Sequence, residues 1–217
     1  MTEATWRESA GLIDDLQAGI EGEALLFTTN PGLEDVVAEE LCERLSEHGR
    51  SPAELTLQRR PHGFRGHLLA LLPRVDGEIV DTALTMRTVH HVLRPLYGFE
   101  LPPTDPLTHI HTELRKRGVS QLARGDVASF RVTTKRSGEH PFSSIDVQRW
   151  AGAALFERYG RDVDLTGFDC EVRVDVSDDR CMVGVQLTGA ALSRRQRRLY
   201  NPRAALKANV ACALLRL

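Results

Sequence analysis

The chain has 217 residues, of which 41% are hydrophobic and 27% charged, and its formal net charge is −2. This composition fits one large or two small globular domains and excludes an intrinsically disordered chain. No apolar run approaches the ~18 residues of a membrane-spanning helix, and residues 1–4 show no basic start of a secretory signal. We therefore expect a cytoplasmic protein without a membrane partner.

Charge is distributed unevenly along the chain. Residues 1–128 contain 13 Lys/Arg and 20 Asp/Glu, whereas residues 129–217 contain 15 and 10. This asymmetry favours a polyanion contact in the second half. Ordinary variation between two domains would produce the same difference, so charge alone does not establish the contact.

The spacing of cysteine and histidine predicts no metal site. His109 and His111 have no cysteine or acidic partner beside them, whereas a zinc site needs three or four convergent ligands. The cysteines form no C-x-x-C pair and lie among apolar residues, which indicates reduced core side chains. They are Cys42, Cys170, Cys181 and Cys212.

Residues 1–23 are polar and predict an N-terminal extension, and residues 24–105 predict a first domain. Asn30-Pro31 should begin the first helix of that domain, because Asn caps helices well and Pro suits their first position. Apolar periodicity predicts alternating strands and helices, an order that suits a ferredoxin-like α+β domain. The expected elements are strand 24–29, helix 31–49, strand 66–72, helix 79–93 and strand 99–101.

Residues 106–200 predict a second domain with a helix at 107–117 and a strand at 127–135. Ser143 and Asp146 form a capping-box pattern for the next helix. That helix should bury Val147, Trp150, Ala151, Ala154, Leu155 and Tyr159.

A hairpin should follow, with its turn at Asp178-Asp179 and Cys181 facing Val176, because this register puts both apolar sets on one face. It also places Cys170 opposite Leu187, which argues against a Cys170–Cys181 disulfide.

The last segment, 201–217, predicts a helix over 202–217. Its sequence ends without a terminating Gly or Pro and without a polar tail. Such an amphipathic helix needs a surface on which to pack. We therefore expect the chain to be interrupted here, with a further domain beyond it. The apolar face consists of Leu206, Val210, Ala213, Leu214 and Leu217.

Residues 130–152 carry the most specific motif of the sequence. An F-R-V strand precedes a basic residue, a glycine and an H-x-F-x-S segment, and an acidic residue, an arginine and a glycine follow. This pattern resembles the THUMP domain, an RNA-binding module of tRNA-modifying enzymes, and implies an α/β THUMP domain at 106–200. The matching residues are Phe130, Arg131, Val132, Arg136, Gly138, His140, Phe142, Ser144, Asp146, Arg149 and Gly152.

The resemblance extends over about residues 24–217, to THUMP-containing tRNA guanine-N2 methyltransferases and their relatives that act on ribosomal RNA. Residues 30–34 (NPGLE) are similar to the family's opening motif, and residues 163–165 (VDL) to its strand entry. Residues 204–215 resemble the helix that leads into the family's Rossmann-like methyltransferase domain, except that Ala205 replaces the usual proline. The resemblance implies a ferredoxin-like domain before the THUMP domain.

Basic residues in the second half are the candidate RNA contacts. Arginine binds phosphates bidentately and stacks on exposed bases. Two alternatives remain open: the arginine run at 194–198 is a solvated loop, and His140 only bonds the turn beside it. The candidates are Lys135, Arg136, His140, Arg149, Arg194, Arg195, Arg197 and Arg198.

Catalytic motifs are missing from the sequence. A class I methyltransferase needs a Gly-rich loop to approach S-adenosylmethionine, and no G-x-G occurs here. The family's [ND]-P-P-[FYW] loop is also missing, since Asn201-Pro202 precedes Arg203 and Asp105-Pro106 precedes Leu107. We expect no catalytic residue and no cofactor in this chain; S-adenosylmethionine would belong to a methyltransferase domain acting in cis or in trans.

By resemblance, the function is recognition of the tRNA acceptor end, near its 3′ CCA terminus, for a tRNA guanine-N2 methyltransferase. A stand-alone THUMP adapter that presents tRNA to a separate modification enzyme is the alternative. A plain α+β scaffold with a solvated basic loop is a third possibility. The sequence leaves open whether tRNA or ribosomal RNA is the ligand and which nucleotide is modified.

Overall fold

The computed structural model describes residues 4–6, 24–194 and 205–216 and shows a mixed α/β protein. Two compact units divide these residues: 4–6, 24–94, 187–194 and 205–216 form the first, and 95–186 form the second. The described helices are α1 (Glu34–Glu47), α2 (Gly77–Thr85), α3 (Pro106–Arg117), α4 (Ser144–Tyr159) and α5 (Ala208–Leu214). The described strands are β1 (Thr5–Trp6), β2 (Ala24–Thr28), β3 (Thr56–Arg59), β4 (His67–Leu71), β5 (His91–Glu100), β6 (Ser129–Thr133), β7 (Arg136–Ser137), β8 (Asp162–Val163), β9 (Cys170–Ser177) and β10 (Arg180–Gln186).

The sheet of the first unit has the strand order β1-β3-β4-β2-β5, with the first residues of β5 at its edge. β2 runs antiparallel to both neighbours, so that Leu26 lies opposite Leu69 and Leu93. Apolar side chains of α1, α2 and this sheet form the core. The strand β3 was not predicted, because its four residues TLQR show no apolar alternation.

The predicted start of the first helix at Asn30-Pro31 is wrong. Residues 30–33 form a turn, in which the Leu33 N–H donates to the Asn30 carbonyl (3.1 Å). Pro31 in second place and Gly32 with φ +94° in third place are the pattern of a type II turn. The helix begins only at Glu34, whose carboxylate accepts the Gly32 N–H at 2.7 Å.

The predicted helix 79–93 is also too long. It ends at Thr85, because the next residue, Met86, has an extended backbone (φ −58°, ψ 145°). Residues 91–100 are then one continuous strand rather than a short strand at 99–101. Val92 and Pro95 of this segment disfavour a helix, which the apolar spacing alone did not reveal.

The sheet of the second unit has the order β5-β10-β9-β6-β8, and β7 pairs with β9. The helices α3 and α4 pack together against one face of it. Phe130 and Val132 of β6, together with the alternate valines of β9 and β10, face these helices. This face is the core that supports the loop after β6.

The hairpin prediction is confirmed. β9 and β10 pair antiparallel with Cys181 opposite Val176, and residues 178–179 form the turn. Asp178 has φ +51°, a left-handed conformation that Asp tolerates better than most residues. Cys170 and Cys181 are both free thiols.

The predicted capping box at the start of α4 is confirmed as well. The prediction of which α4 residues are buried is only partly correct. Val147 is buried, whereas Trp150 is 40% exposed. Its ring packs edge-on against His111 of α3, with ring centroids 6.0 Å apart. Tyr159 is half-buried, and its hydroxyl accepts the Val119 N–H at 2.9 Å.

The C-terminal helix is shorter than predicted: instead of 202–217, the described residues show helix only over Ala208–Leu214. Ala213 is buried as predicted. Asn209, which was not part of the predicted face, is fully buried, and its amide donates to the Asn30 side chain at 3.0 Å. Within the described ranges, no helix is long and apolar enough to cross a bilayer.

Candidate nucleic-acid interface

The loop after β6 is fixed to β9 through its backbone, which leaves the Lys135 side chain exposed. The Lys135 N–H donates to Asp175 Oδ1 (2.7 Å), and the Lys135 carbonyl accepts the Val176 N–H (3.0 Å). β7 then runs parallel to β9, with Arg136 opposite Val176. The Lys135 ammonium is therefore presented to solvent from a rigid support.

Arg136 lies beside the His140 ring. Its Nη1 is 2.8 Å from His140 Nδ1 and 3.1 Å from the Gly138 carbonyl. The other ring nitrogen, His140 Nε2, is 2.7 Å from the Asp178 carbonyl. One imidazole thus joins the basic loop to the turn between β9 and β10.

Gly138 allows the basic loop to approach that turn closely. Its φ is +95°, and a Cβ placed on it would lie 2.5 Å from Asp178 Oδ1 and 3.2 Å from Asp178 N. The Asp178 N–H also donates to the Ser137 carbonyl at 3.0 Å. Only glycine combines this conformation with this contact at low energy.

The capping box that follows sets the start of α4. The Ser143 hydroxyl accepts the Asp146 N–H (3.2 Å), while Asp146 Oδ2 accepts the Ser143 N–H (2.8 Å). The Ser143 N–H, and then its hydroxyl, hold the pKa of Asp146 below the usual value of an aspartate. Arg149 is exposed and lies three residues after Asp146, on the same face of the helix.

A cleft of about 780 Å³ opens beside the basic loop within the second unit. Prolines and aromatic rings supply flat apolar surfaces, and the acidic turn supplies hydrogen-bond acceptors. Such surfaces next to cationic side chains suit the stacking of unpaired nucleotides. The cleft is lined by Leu101, Pro102, Pro103, Pro106, Gly138, Glu139, His140, Pro141, Phe142, Asp178 and Asp179.

The structure brings Lys135, Arg136 and His140 together in one loop and places Arg149 on the helix that follows it. Arg194 is exposed and belongs to the first unit, at the end of a short 3₁₀ helix. Arg195, Arg197 and Arg198 lie outside the described residues, so their role stays a prediction.

Two arginines near the motif are occupied by structural contacts. Arg131 Nη2 donates to Glu171 (2.7 Å), and its guanidinium lies over the Phe168 ring at 3.9 Å. Arg173 Nε donates to Asp175 at 2.7 Å. Both guanidinium groups therefore already hold a carboxylate.

The partners that hold the loop were not found from the sequence. Asp175 and the Asp178 carbonyl lie about 40 residues from the loop groups that they bind. The two-residue strand β7, which sets this pairing, is too short to show a periodic pattern.

The described ranges contain no group of three or more His, Cys, Asp or Glu side chains placed to hold a metal ion.

Comparison with known proteins supports the motif. Residues 112–186 match the THUMP domain family. The tRNA (guanine(6)-N2)-methyltransferase of Thermus thermophilus is 36% identical over 195 residues, which cover 88% of this chain and 52% of that protein. Its counterpart in Archaeoglobus fulgidus is 41% identical over 88% of this chain and 46% of the relative. The chain thus spans about half the length of these curated relatives.

Solved structures give a consistent result. The crystal structure of TrmN from Thermus thermophilus is 34% identical, with a TM-score of 0.65 over 89% of this chain and 53% of that one. A predicted N6-adenine-specific DNA methylase from Listeria monocytogenes has a TM-score of 0.67, over 95% of this chain and 50% of that one, at 19% identity. The second likeness shows a shared fold.

Proposed function

We propose that this chain, which contains a THUMP domain at residues 112–186 and is related to THUMP-containing tRNA methyltransferases, recognises the acceptor end of tRNA for such an enzyme. The whole enzyme would methylate the N2 amine of a guanine, in the cytoplasm, with S-adenosylmethionine as the methyl donor. The catalytic domain would be Rossmann-like and would act in cis or in trans.

The observation that carries this proposal is the basic loop held rigidly beside a cleft that prolines, Phe142 and the acidic turn line. Lys135 and Arg136 present two positive charges from a backbone bonded to β9. Phosphate contacts supply affinity and position, whereas stacking surfaces accept unpaired bases. A single-stranded 3′ end that follows a helical stem offers both kinds of group to one site.

The first unit supports the same assignment. After β1, its elements follow the order β2-α1-β3-β4-α2-β5, the β-α-β-β-α-β order of ferredoxin-like folds. We assign residues 24–105 as the ferredoxin-like domain that precedes a THUMP domain at 106–200, although the compact first unit ends at residue 94, within β5. We assign the catalytic role to a domain outside this chain, and the missing G-x-G and [ND]-P-P-[FYW] motifs support this assignment.

A relative with different chemistry favours recognition of tRNA over recognition of the modified base. The tRNA sulfurtransferase of Haemophilus influenzae is 35% identical over 120 residues, which cover 55% of this chain and 21% of that protein. That protein transfers sulfur rather than a methyl group. The shared segment therefore fits a task common to both enzymes, which is binding tRNA.

Removal of the loop charges tests this proposal. The double variant Lys135→Ala/Arg136→Ala should bind tRNA more weakly than the wild type. The slope of log K against log salt should fall by about 1.4–1.8 units in magnitude, at ~0.7–0.9 per phosphate contact. Affinity would be measured by fluorescence anisotropy over a salt series.

The matched control is Arg115→Ala/Lys116→Ala, which removes two adjacent exposed charges from α3 in the same unit. Its salt slope should stay close to that of the wild type. If both double variants lose the same slope, the tRNA contact is a general charge effect and the loop is not the site.

A further inference from the structure

We infer that His140 is a positioning residue: its neutral, Nε2-protonated ring holds the Arg136 guanidinium in place for RNA, and protonation of that ring releases Arg136. This inference rests on the proposed function of the loop. It assigns His140 a role opposite in sign to that of a direct phosphate contact. An ordinary histidine contact would strengthen RNA binding when protonated, whereas this one weakens it.

The two hydrogen bonds of the ring fix its tautomer. A backbone carbonyl can only accept, so His140 Nε2, at 2.7 Å from the Asp178 carbonyl, carries a proton. A guanidinium can only donate, so His140 Nδ1, at 2.8 Å from Arg136 Nη1, is unprotonated. An imidazolium would place a second N–H against the guanidinium, and the Arg136 contact would be replaced by repulsion.

The surrounding charges decide where Arg136 goes when it is released. Glu139, Asp178 and Asp179 line the same cleft as His140, and Phe142 covers the ring at 4.9 Å between centroids. Both ring nitrogens already have partners, so these carboxylates act on the ring only at longer range. They attract a protonated ring and a released guanidinium alike, which draws positive charge towards the acidic turn.

Nitrogen NMR of the 217-residue chain tests the tautomer without RNA. The His140 signals, assigned by their loss in His140→Gln, should show a protonated Nε2 and an unprotonated Nδ1 at about pH 7.5. A protonated Nδ1, or a charged ring at this pH, would overturn the inference. The result is independent of tRNA, so it separates this inference from the proposed function.

Substitutions that mimic one ring nitrogen at a time test the role in binding. Asn carries an acceptor near the position of Nδ1, whereas Gln carries a donor near the position of Nε2. His140→Asn should retain most of the tRNA affinity, while His140→Gln and His140→Ala should lose about three- to tenfold, as expected for one charge-assisted hydrogen bond. Thermal melting of each variant shows whether the fold is retained.

The pH profile gives the decisive readout. When the pH is lowered from about 7.5 to about 5.5, the wild type should lose tRNA affinity relative to His140→Asn. The control His48→Asn, an exposed histidine at the end of α1, should follow the wild type. A wild type that gains affinity in acid as much as His140→Asn does would overturn the inference. No tRNA binding by the wild type at about pH 7.5 would instead refute the proposed function, and the NMR result would stand alone.

Discussion

Replacement of Gly138 by alanine should disturb both stability and tRNA binding. The new Cβ would lie 2.5 Å from Asp178 Oδ1, which can rotate away, but also 3.2 Å from Asp178 N and 3.3 Å from its Cα, which cannot move without the turn. The φ of +95° adds strain for any residue with a side chain. Together these effects should destabilise the protein by about 1–3 kcal/mol and shift Arg136 away from His140.

Urea denaturation followed by circular dichroism would measure the loss, with Gly125→Ala as the matched control. Gly125 belongs to the same unit, and a Cβ there meets no atom within 4 Å. Its substitution should be neutral, within about 0.5 kcal/mol. Equal stability of the two variants would refute the account of the close approach. Adding Asp178→Gly to Gly138→Ala removes only the carboxylate contact, so most of the loss should persist, because the strain at position 138 and the contacts with the backbone of residue 178 remain.

Three further predictions concern other parts of the chain. Alanine at the four arginines of residues 194–198 should lower the magnitude of the tRNA salt slope by up to about three to four units. An unchanged slope would show that this arginine run is a solvated loop that does not contact tRNA. Ser143→Ala should cost about 1 kcal/mol by chemical denaturation, against less than about 0.5 for Ser51→Ala, whose side chain caps nothing. The stability from the low pKa of Asp146 is present at neutral pH and lost as the pH falls through that pKa, so the stability difference between Ser143→Ala and the wild type should shrink in acid. Glu40→Gln should cost about 1–3 kcal/mol, because the fully buried Glu40 carboxylate accepts two backbone N–H groups and a hydroxyl, while the exposed Glu39→Gln should be neutral.

The sequence predicted the second unit better than the first. Alternating valines defined the register of β9 and β10, and Ser143 with Asp146 marked the start of α4. In the first unit, Asn30-Pro31 resembled a helix start, but Gly32 with its positive φ makes a turn there. The long strand β5 was missed because its apolar residues also fit a helical period.

The candidate site was predicted in part, because a local motif identifies a loop and not its distant partners. The motif within residues 130–152 was enough to identify Lys135, Arg136 and His140 as candidate RNA contacts. The tautomer of His140 depends on the Asp178 carbonyl, a backbone atom whose position follows from the turn geometry rather than from residue type. Likewise, Arg131 and Arg173 fit a basic surface until their carboxylate partners are known.

The most direct test of the central claim compares the affinity of this chain for intact tRNA and for the same tRNA without its 3′ CCA, at one salt concentration. Recognition of the acceptor end predicts at least about tenfold tighter binding of the intact tRNA, since stacking contributes ~1–3 kcal/mol per base. The preference should shrink in Lys135→Ala/Arg136→Ala and persist in Arg115→Ala/Lys116→Ala. Equal affinity of the wild type for both RNAs would contradict the account.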